Sequence, residues 1–320
     1  MVADSAWGRC GDSWAFRRVD WGQMSTIRPI RAKTLVSRVG GIDTWFGLDY
    51  GINLYRGCQH RCIYCDSRSL CYEIDAFDEE ILYKQNAVER LEDELPRKRR
   101  KGIIGTGSMN DPYMPAEASI GLTRRALETI RRHGFGVHVI TKSDLVVRDA
   151  DILARIARVA AVVSLTITTA DDTLSRKLEP GAPPSSARFR ALAELAKAGV
   201  ETRVALMPVL PWLEDSWENV SAIVERADQC GVQAIIASFG LSQRDRQRAY
   251  FHDRLDELFP GLRKRYERRY RDQYECPVPG AGTLRQRFRD LCAKRGIATW
   301  VRPHLAPTAE QASLFPEETT

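Results

Sequence analysis

Asn53-Leu54-Tyr55-Arg56-Gly57-Cys58-Gln59-His60-Arg61-Cys62-Ile63-Tyr64-Cys65 carries three cysteines at the spacing C-x3-C-x2-C. Three thiolates on one tight loop can hold three corners of a cubane iron–sulfur cluster. A structural zinc ion normally takes four protein ligands, usually from two C-x2-C-like pairs, and no second pair exists in this chain. Cys276 and Cys292 share no short-range motif, and Cys10, Cys71 and Cys230 stand alone. Three ligands with an open fourth position make sense where a substrate or cofactor must reach the metal. The blander readings are a zinc knob completed by His60 or Cys71, or unrelated buried thiols.

The flanking sequence alternates apolar runs with helical patterns. Strands are expected over 50–55, 102–106, 136–141, 161–167, 201–207 and 234–238. Helices are expected over 79–94, 119–132, 149–158, 185–197 and 216–230. Leu122, Ala126, Leu127 and Ile130 keep the rhythm of one helix face. His133-Gly134 and Ala198-Gly199 are stop signals before the next strand. Continuous apolar strands suit a parallel sheet covered on both faces. Six such units predict an α/β fold, a partial, open β/α barrel over residues 32–240, with ligands at the C-terminal ends of its strands. Charged helices follow over 244–258, 262–273 and 284–294, with a short strand at 298–301, making 241–302 a helical C-terminal region. Residues 1–31 read as a loose extension, or as an over-long start with Met24 the natural beginning. Residues 303–320 read as a mobile tail.

The 320 residues are 43% hydrophobic and 28% charged, with a net charge of +6. That composition supports a core and excludes disorder over most of the length. No run approaches the roughly 18 apolar residues of a membrane span. No apolar signal segment follows the early basic residues, so a cytoplasmic location is expected, where clustered cysteines read as metal-binding or catalytic.

These motifs resemble the radical S-adenosylmethionine superfamily and, more narrowly, the spore photoproduct lyase (DNA repair photolyase-like) family. The resemblance spans about residues 32–301 and rests on Asn53-Leu54-Tyr55-Arg56-Gly57-Cys58 with Tyr64-Cys65. Ser108-Met109-Asn110-Asp111-Pro112-Tyr113 and Leu178-Glu179-Pro180-Gly181-Ala182-Pro183 carry the rest. It implies a partial (β/α)6 TIM-like barrel of the radical SAM type with a helical C-terminal extension. It also implies a [4Fe-4S] cluster held by Cys58, Cys62 and Cys65, and S-adenosylmethionine (SAM) chelating the open iron. Such enzymes cleave SAM reductively to a 5′-deoxyadenosyl radical that takes hydrogen from the substrate. An electron donor such as flavodoxin or ferredoxin is implied as a partner.

Carried over residue by residue, the resemblance sets Tyr64 near the adenine, and the loop of Ser108 and Asn110 at the SAM amine. Lys142, ending the third strand, matches a partner for the methionine carboxylate, although a lysine there also suits a solvated surface. Ser164 and Thr166 share one face of the fourth strand and would meet ribose or carboxylate. Glu179 would meet ribose, and Met207, before Pro208, would lie by the adenine. One position departs from the family pattern. Spore photoproduct lyases keep a hydrogen-returning cysteine where this chain has Ser108, whose O–H bond is too strong for that role. Cys71 could substitute if the fold brings it inward; a buried structural thiol is the plainer reading.

Two basic runs suit nucleic acid, DNA foremost. They are Arg97-Lys98-Arg99-Arg100-Lys101 and Arg263-Lys264-Arg265-Tyr266-Glu267-Arg268-Arg269-Tyr270-Arg271. The cations would bind phosphate and the tyrosines stack on bases, against the plain reading of solvated helix faces. In the tail, Gln311, Leu314 and Phe315 resemble the bacterial sliding-clamp-binding peptide. The sequence therefore points to radical SAM chemistry on a damaged or modified nucleic-acid base. The alternatives are a peptide or small-metabolite substrate, or a non-catalytic, metal-stabilised nucleic-acid-binding protein.

Overall fold

In a computed structural model, residues 25–41 and 43–301 are described. Six parallel strands form the centre: β1 (Tyr50–Ile52), β2 (Ile103–Thr106), β3 (Gly136–Thr141), β4 (Ala161–Thr166), β5 (Glu201–Leu206) and β6 (Ala234–Ala237). They lie in chain order across one sheet, and the short strand Ser37–Arg38 pairs antiparallel to β1 at its edge. This is the expected α/β architecture. Among the described strands the sheet stays open, since β6 pairs with β5 and makes only an isolated bridge from Ala234 to Ala298 on its far side.

The apolar strands are continuous because both faces are covered. All six residues of β4 are buried, as are five of the six in β3. Between and after the strands run α1 (Ala87–Glu94), α2 (Leu122–Arg132), α3 (Ala150–Ile156), α4 (Asp172–Leu178), α5 (Ser185–Lys197) and α6 (Trp217–Gln229). Leu127, Ile152, Leu153, Leu192, Leu195, Ile223 and Val224 pack with Val137, Val139, Val163, Leu165, Val204 and Leu206 into the main core. Hairpin-free β/α connections return every strand in the same direction, so all six C-terminal ends gather on one edge.

Four expectations needed correction. The helix expected over 79–94 is half strand: Glu80–Lys84 is extended and the helix starts at Ala87. The extended segment is held by remote partners, Thr26–Ile30 in parallel and Tyr55–Arg56 antiparallel, which local periodicity does not reveal. For the same reason residues 26–30 form an ordered strand inside the stretch read as a loose extension. The helix expected over 119–132 begins at Leu122, because Gly121 turns into the left-handed region at φ 62° and stops the preceding one-turn helix. The C-terminal helices α7 (Asp245–Leu258), α8 (Leu262–Tyr270) and α9 (Ala281–Lys294) do not form a body of their own. Leu284, Phe288 and Cys292 of α9 enter the main core, while Phe251, Leu255 and Tyr266 join Ile63 and Tyr64 in a second cluster.

Candidate functional site

The three cysteines follow the strand Tyr55–Arg56 on a loop at the C-terminal edge of the sheet. Gly57 opens that loop at φ 80°, where an added Cβ would lie 2.4 Å from the Glu80 carbonyl oxygen, so only glycine fits. The Cys58 amide donates to the Phe77 carbonyl at 3.0 Å. Cys58 and Cys62 are buried and Cys65 is half-buried. Burial pushes the Cys58 thiol well up, with Asp111 and the other two sulfurs adding to it. Burial likewise raises Cys62 to about 12 and raises Cys65 against the pull of Lys142. Thiolates in this setting need a nearby positive charge, which bound iron supplies. No three His, Cys, Asp or Glu side chains among the described residues converge on a single ion. His60, the proposed fourth zinc ligand, instead turns Nδ1 to Asp111 at 3.1 Å.

Asp111 ties this loop to two strand ends. Its carboxylate accepts from Thr141 Oγ1 at 2.6 Å, from the Lys142 amide at 2.7 Å and from the Tyr113 amide at 2.9 Å. Burial opposes its charge, but His60 and these donors outweigh burial and hold the carboxyl down at about 2. The Glu179-Pro-Gly-Ala-Pro loop clamps the other flank. The Gly181 amide donates to the His60 carbonyl at 2.9 Å and the Ile63 amide to the Leu178 carbonyl at 2.9 Å. The backbones are so close that a Cβ on Gly181 would stand 2.0 Å from the Gln59 oxygen.

Next to the cysteines lies a buried group of charges. The Tyr64 hydroxyl donates to Glu179, and Arg188 pairs with the other Glu179 oxygen at 2.5 Å. Lys142 lies with its ammonium 5.7 Å from the Tyr64 ring centre. Burial works against the Lys142 charge, but Cys62 and Glu179 reverse that and keep it protonated. Glu214 completes the group: Oε1 accepts from Thr168 Oγ1 at 2.6 Å and Oε2 from the Leu210 amide at 2.9 Å. Burial raises its carboxyl from 4.5 to about 8. Sequence reasoning missed Arg188 and Glu214. Each sits in an ordinary helical or loop pattern, and the pairing of Arg188 with Glu179 shows only in the fold.

The other expected site residues fall in different places. Asn110 is buried beside the cysteine loop; its Nδ2 donates to the Tyr55 carbonyl at 2.6 Å, and its Oδ1 has no hydrogen-bond partner. That unpartnered acceptor fits a ligand ammonium. Ser108 is exposed at the same edge, one residue past Gly107. Ser164 is buried and bonds His138 Nε2 at 2.7 Å, so its hydroxyl is engaged inside the sheet. Thr166 is buried, and its carbonyl accepts from Arg188 at 2.9 Å. Glu179 has both oxygens engaged by Tyr64 and Arg188, which leaves little of it for a ribose. Met207 follows β5, joined to Pro208 by a cis peptide bond, and packs against Ile236 and Val301. Cys71 is exposed on the short turn Leu70–Tyr72, with the Ser69 hydroxyl 3.4 Å from its sulfur, so the fold does not bring it inward.

The two basic runs lie on different edges. Residues 97–101 lead into β2 and therefore sit at the N-terminal edge, away from the cysteines. There Lys98 lies 5.5 Å over the Tyr50 ring, and Lys101 lies 4.5 Å over Phe135. The second run forms α8, whose Leu262, Tyr266 and Tyr270 share one face at i, i+4 and i+8. Tyr266 and Tyr270 are buried there, donating to the Pro211 and Pro277 carbonyls, so neither stacks on a base. Lys264, Arg265, Arg268, Arg269 and Arg271 are exposed. Gln311, Leu314 and Phe315 of the clamp-like peptide lie outside the described residues.

The sequence profile of the Radical SAM superfamily matches residues 52–224. The chain is 31% identical over 278 residues to the uncharacterized protein Rv2578c of Mycobacterium tuberculosis, covering 85% of this chain and 81% of that one. It is 34% identical over 171 residues to the uncharacterized protein MJ0683 of Methanocaldococcus jannaschii, covering 53% of this chain and 63% of the relative. Among solved structures, a spore photoproduct lyase variant with bound AdoMet and dinucleoside spore photoproduct superposes with a TM-score of 0.65. It is 14% identical, over 86% of this chain and 81% of that one. The fold is thus like that of spore photoproduct lyase. With the profile spanning more than half of its length, the chain belongs to the Radical SAM superfamily, whose cofactors are a [4Fe-4S] cluster and SAM.

Proposed function

We propose that this radical SAM enzyme acts on a nucleic-acid base, damaged or modified, with DNA the favoured polymer. The observation that carries the proposal is the mounting of α8. Its buried face packs with Cys62, Ile63 and Tyr64 in one apolar cluster, and Trp212 of the loop after β5 touches Tyr266 edge-on at 5.0 Å. The exposed cations of α8 thus stand on a helix whose inner face shares a cluster with the cysteine loop. Arg265 lies 4.7 Å over the Trp212 ring, which keeps part of this basic face next to the β5 loop. Lys and Arg side chains in such a row neutralise backbone phosphates without reading sequence. A structural neighbour solved with a dinucleoside spore photoproduct supports the reading.

In this reading Cys58, Cys62 and Cys65 would hold the cluster, the unpartnered Asn110 Oδ1 would accept from the SAM amine, and the Lys142 ammonium would meet its carboxylate. The cluster with SAM supplies a carbon radical able to abstract hydrogen from an unactivated position. Asp111 and the Gly181 loop hold the cysteine loop against the ends of β3 and α4. Ser108, exposed where a hydrogen-returning cysteine would be needed, favours a reaction other than spore thymine-dimer reversal, and it keeps a peptide or small metabolite as the second reading. Flavodoxin or ferredoxin would supply the electron, and the residue 311–315 peptide would dock to the sliding clamp.

Two measurements test the proposal. Anaerobically reconstituted protein should bind DNA with an affinity that falls steeply as salt rises. Its release of 5′-deoxyadenosine under dithionite should rise when damaged DNA is added. Absence of binding to both duplex and single strands at low salt overturns the nucleic-acid reading while leaving the radical chemistry intact.

A further inference from the structure

We infer that Arg188 is a positioning residue that keeps the Lys142 ammonium available to the carboxylate of SAM, by holding Glu179 away from it.

Arg188 is 0% exposed. Nε donates to the Pro183 carbonyl at 2.8 Å, one terminal nitrogen donates to the Thr166 carbonyl at 2.9 Å, and the other pairs with Glu179 at 2.5 Å. The guanidinium thus joins the end of β4 to the 179–183 loop and takes one oxygen of Glu179, while Tyr64 takes the other. Two cations, Arg188 and Lys142, thus lie near one carboxylate, and Arg188 is the one that pairs with it. A planar guanidinium anchored on two carbonyls is better organised for that carboxylate than a flexible ammonium. Lys142 is accordingly left without an ion pair within 4.0 Å among the described residues, although Glu179 and Cys62 both raise its pKa. It is a protonated amine beside the cysteine loop, with its charge uncommitted. Without the Arg188 charge, Glu179 would be buried with only a phenol for company, and Lys142 is the nearby cation able to neutralise it. The ammonium would then be lost to the ligand.

The inference rests on the assignment of Lys142 to the SAM carboxylate, and the test separates the two. Equilibrium binding is measured on reconstituted protein with two probes, SAM and 5′-methylthioadenosine, which keeps the adenosine but lacks the amino acid. Lys142→Ala should weaken SAM about tenfold and leave methylthioadenosine within about twofold. If it weakens neither, or both alike, the Lys142 assignment is wrong. Arg188→Gln should reproduce the Lys142→Ala pattern, about tenfold on SAM alone. The double variant Glu179→Gln/Arg188→Gln should regain SAM affinity, because no carboxylate remains to capture Lys142. A merely structural Arg188 would weaken both probes, and removing Glu179 would not repair the loss; either result overturns the inference. If Arg188→Gln does not fold, Glu179→Gln alone decides. It should bind SAM at least as well as the parent, and a loss as large as that of Lys142→Ala overturns the inference.

Discussion

At the N-terminal edge of the sheet, Lys98 and Lys101 lie over the rings of Tyr50 and Phe135, and Arg99 and Arg100 stand in solvent. At the C-terminal edge, Lys142 and a fully buried Arg188 sit among Cys62, Tyr64, Glu179 and Glu214. The same residue types thus do two jobs. On the outer edge a cation snorkels along an aromatic surface and keeps its hydration. On the inner edge each charge must be met by another group or by a ligand, because burial makes an unmatched charge expensive. Unmet valences mark the second edge as the working one: the Asn110 acceptor, the uncommitted Lys142 and three thiols raised by burial.

The contrast breaks most sharply at the cysteines. Cys58→Ala, Cys62→Ala and Cys65→Ala should each abolish dithionite-dependent 5′-deoxyadenosine release and cut bound iron and sulfide after reconstitution. Retention of both in any one of them removes that cysteine from the ligand set. The next largest effect concerns packing. Gly181→Ala drives a Cβ into the Gln59 backbone and should cost about 1–3 kcal/mol together with cluster loading. Gly282→Ala, in α9 with nothing within 4 Å, should instead be neutral or stabilise by about 0.4–1 kcal/mol. Thermal melts of the pair compare a site loop with an ordinary helix, and equal shifts would mean that the 179–183 loop is not a clamp.

The two basic runs offer a smaller test. Charge reversal at Arg268 and Arg269 should lower DNA affinity about tenfold at low salt and flatten its salt dependence. The same change at Arg99 and Arg100 should stay within about twofold. An equal loss from both runs would erase the distinction between the edges.

Smallest is the pH dependence of Glu214. Its carboxyl is raised from 4.5 to about 8 by burial, so the native state keeps a proton that the unfolded chain has lost between these values. Native stability therefore falls as pH rises through that window. Gln can serve both Thr168 and Leu210 without ionising. The melting temperature of Glu214→Gln relative to the parent should climb from about pH 5 to about pH 9. A constant difference would show that Glu214 titrates normally.

Much of this was legible in the linear order. The three cysteines, the six strand–helix units and the placement of Asn110 and Lys142 just after strands follow from spacing and periodicity, since helix and strand faces repeat locally. What local pattern hides is anything made by remote partners. Glu80–Lys84 reads as helix until Thr26–Ile30 and Tyr55–Arg56 pair with it. Tyr266 and Tyr270 read as stacking platforms until the β5 loop covers them. Spacing alone put three thiolates, an open metal position and a parallel sheet into the chain. Which cations face the thiols and which carboxylate lies beside them are decided by remote chain segments meeting at one edge, as His60 meets Asp111 and Gly181, and Tyr64 meets Glu179 and the Gln247 side chain. Charge acquires a role only when burial sets its cost, and burial is a property of the assembled fold.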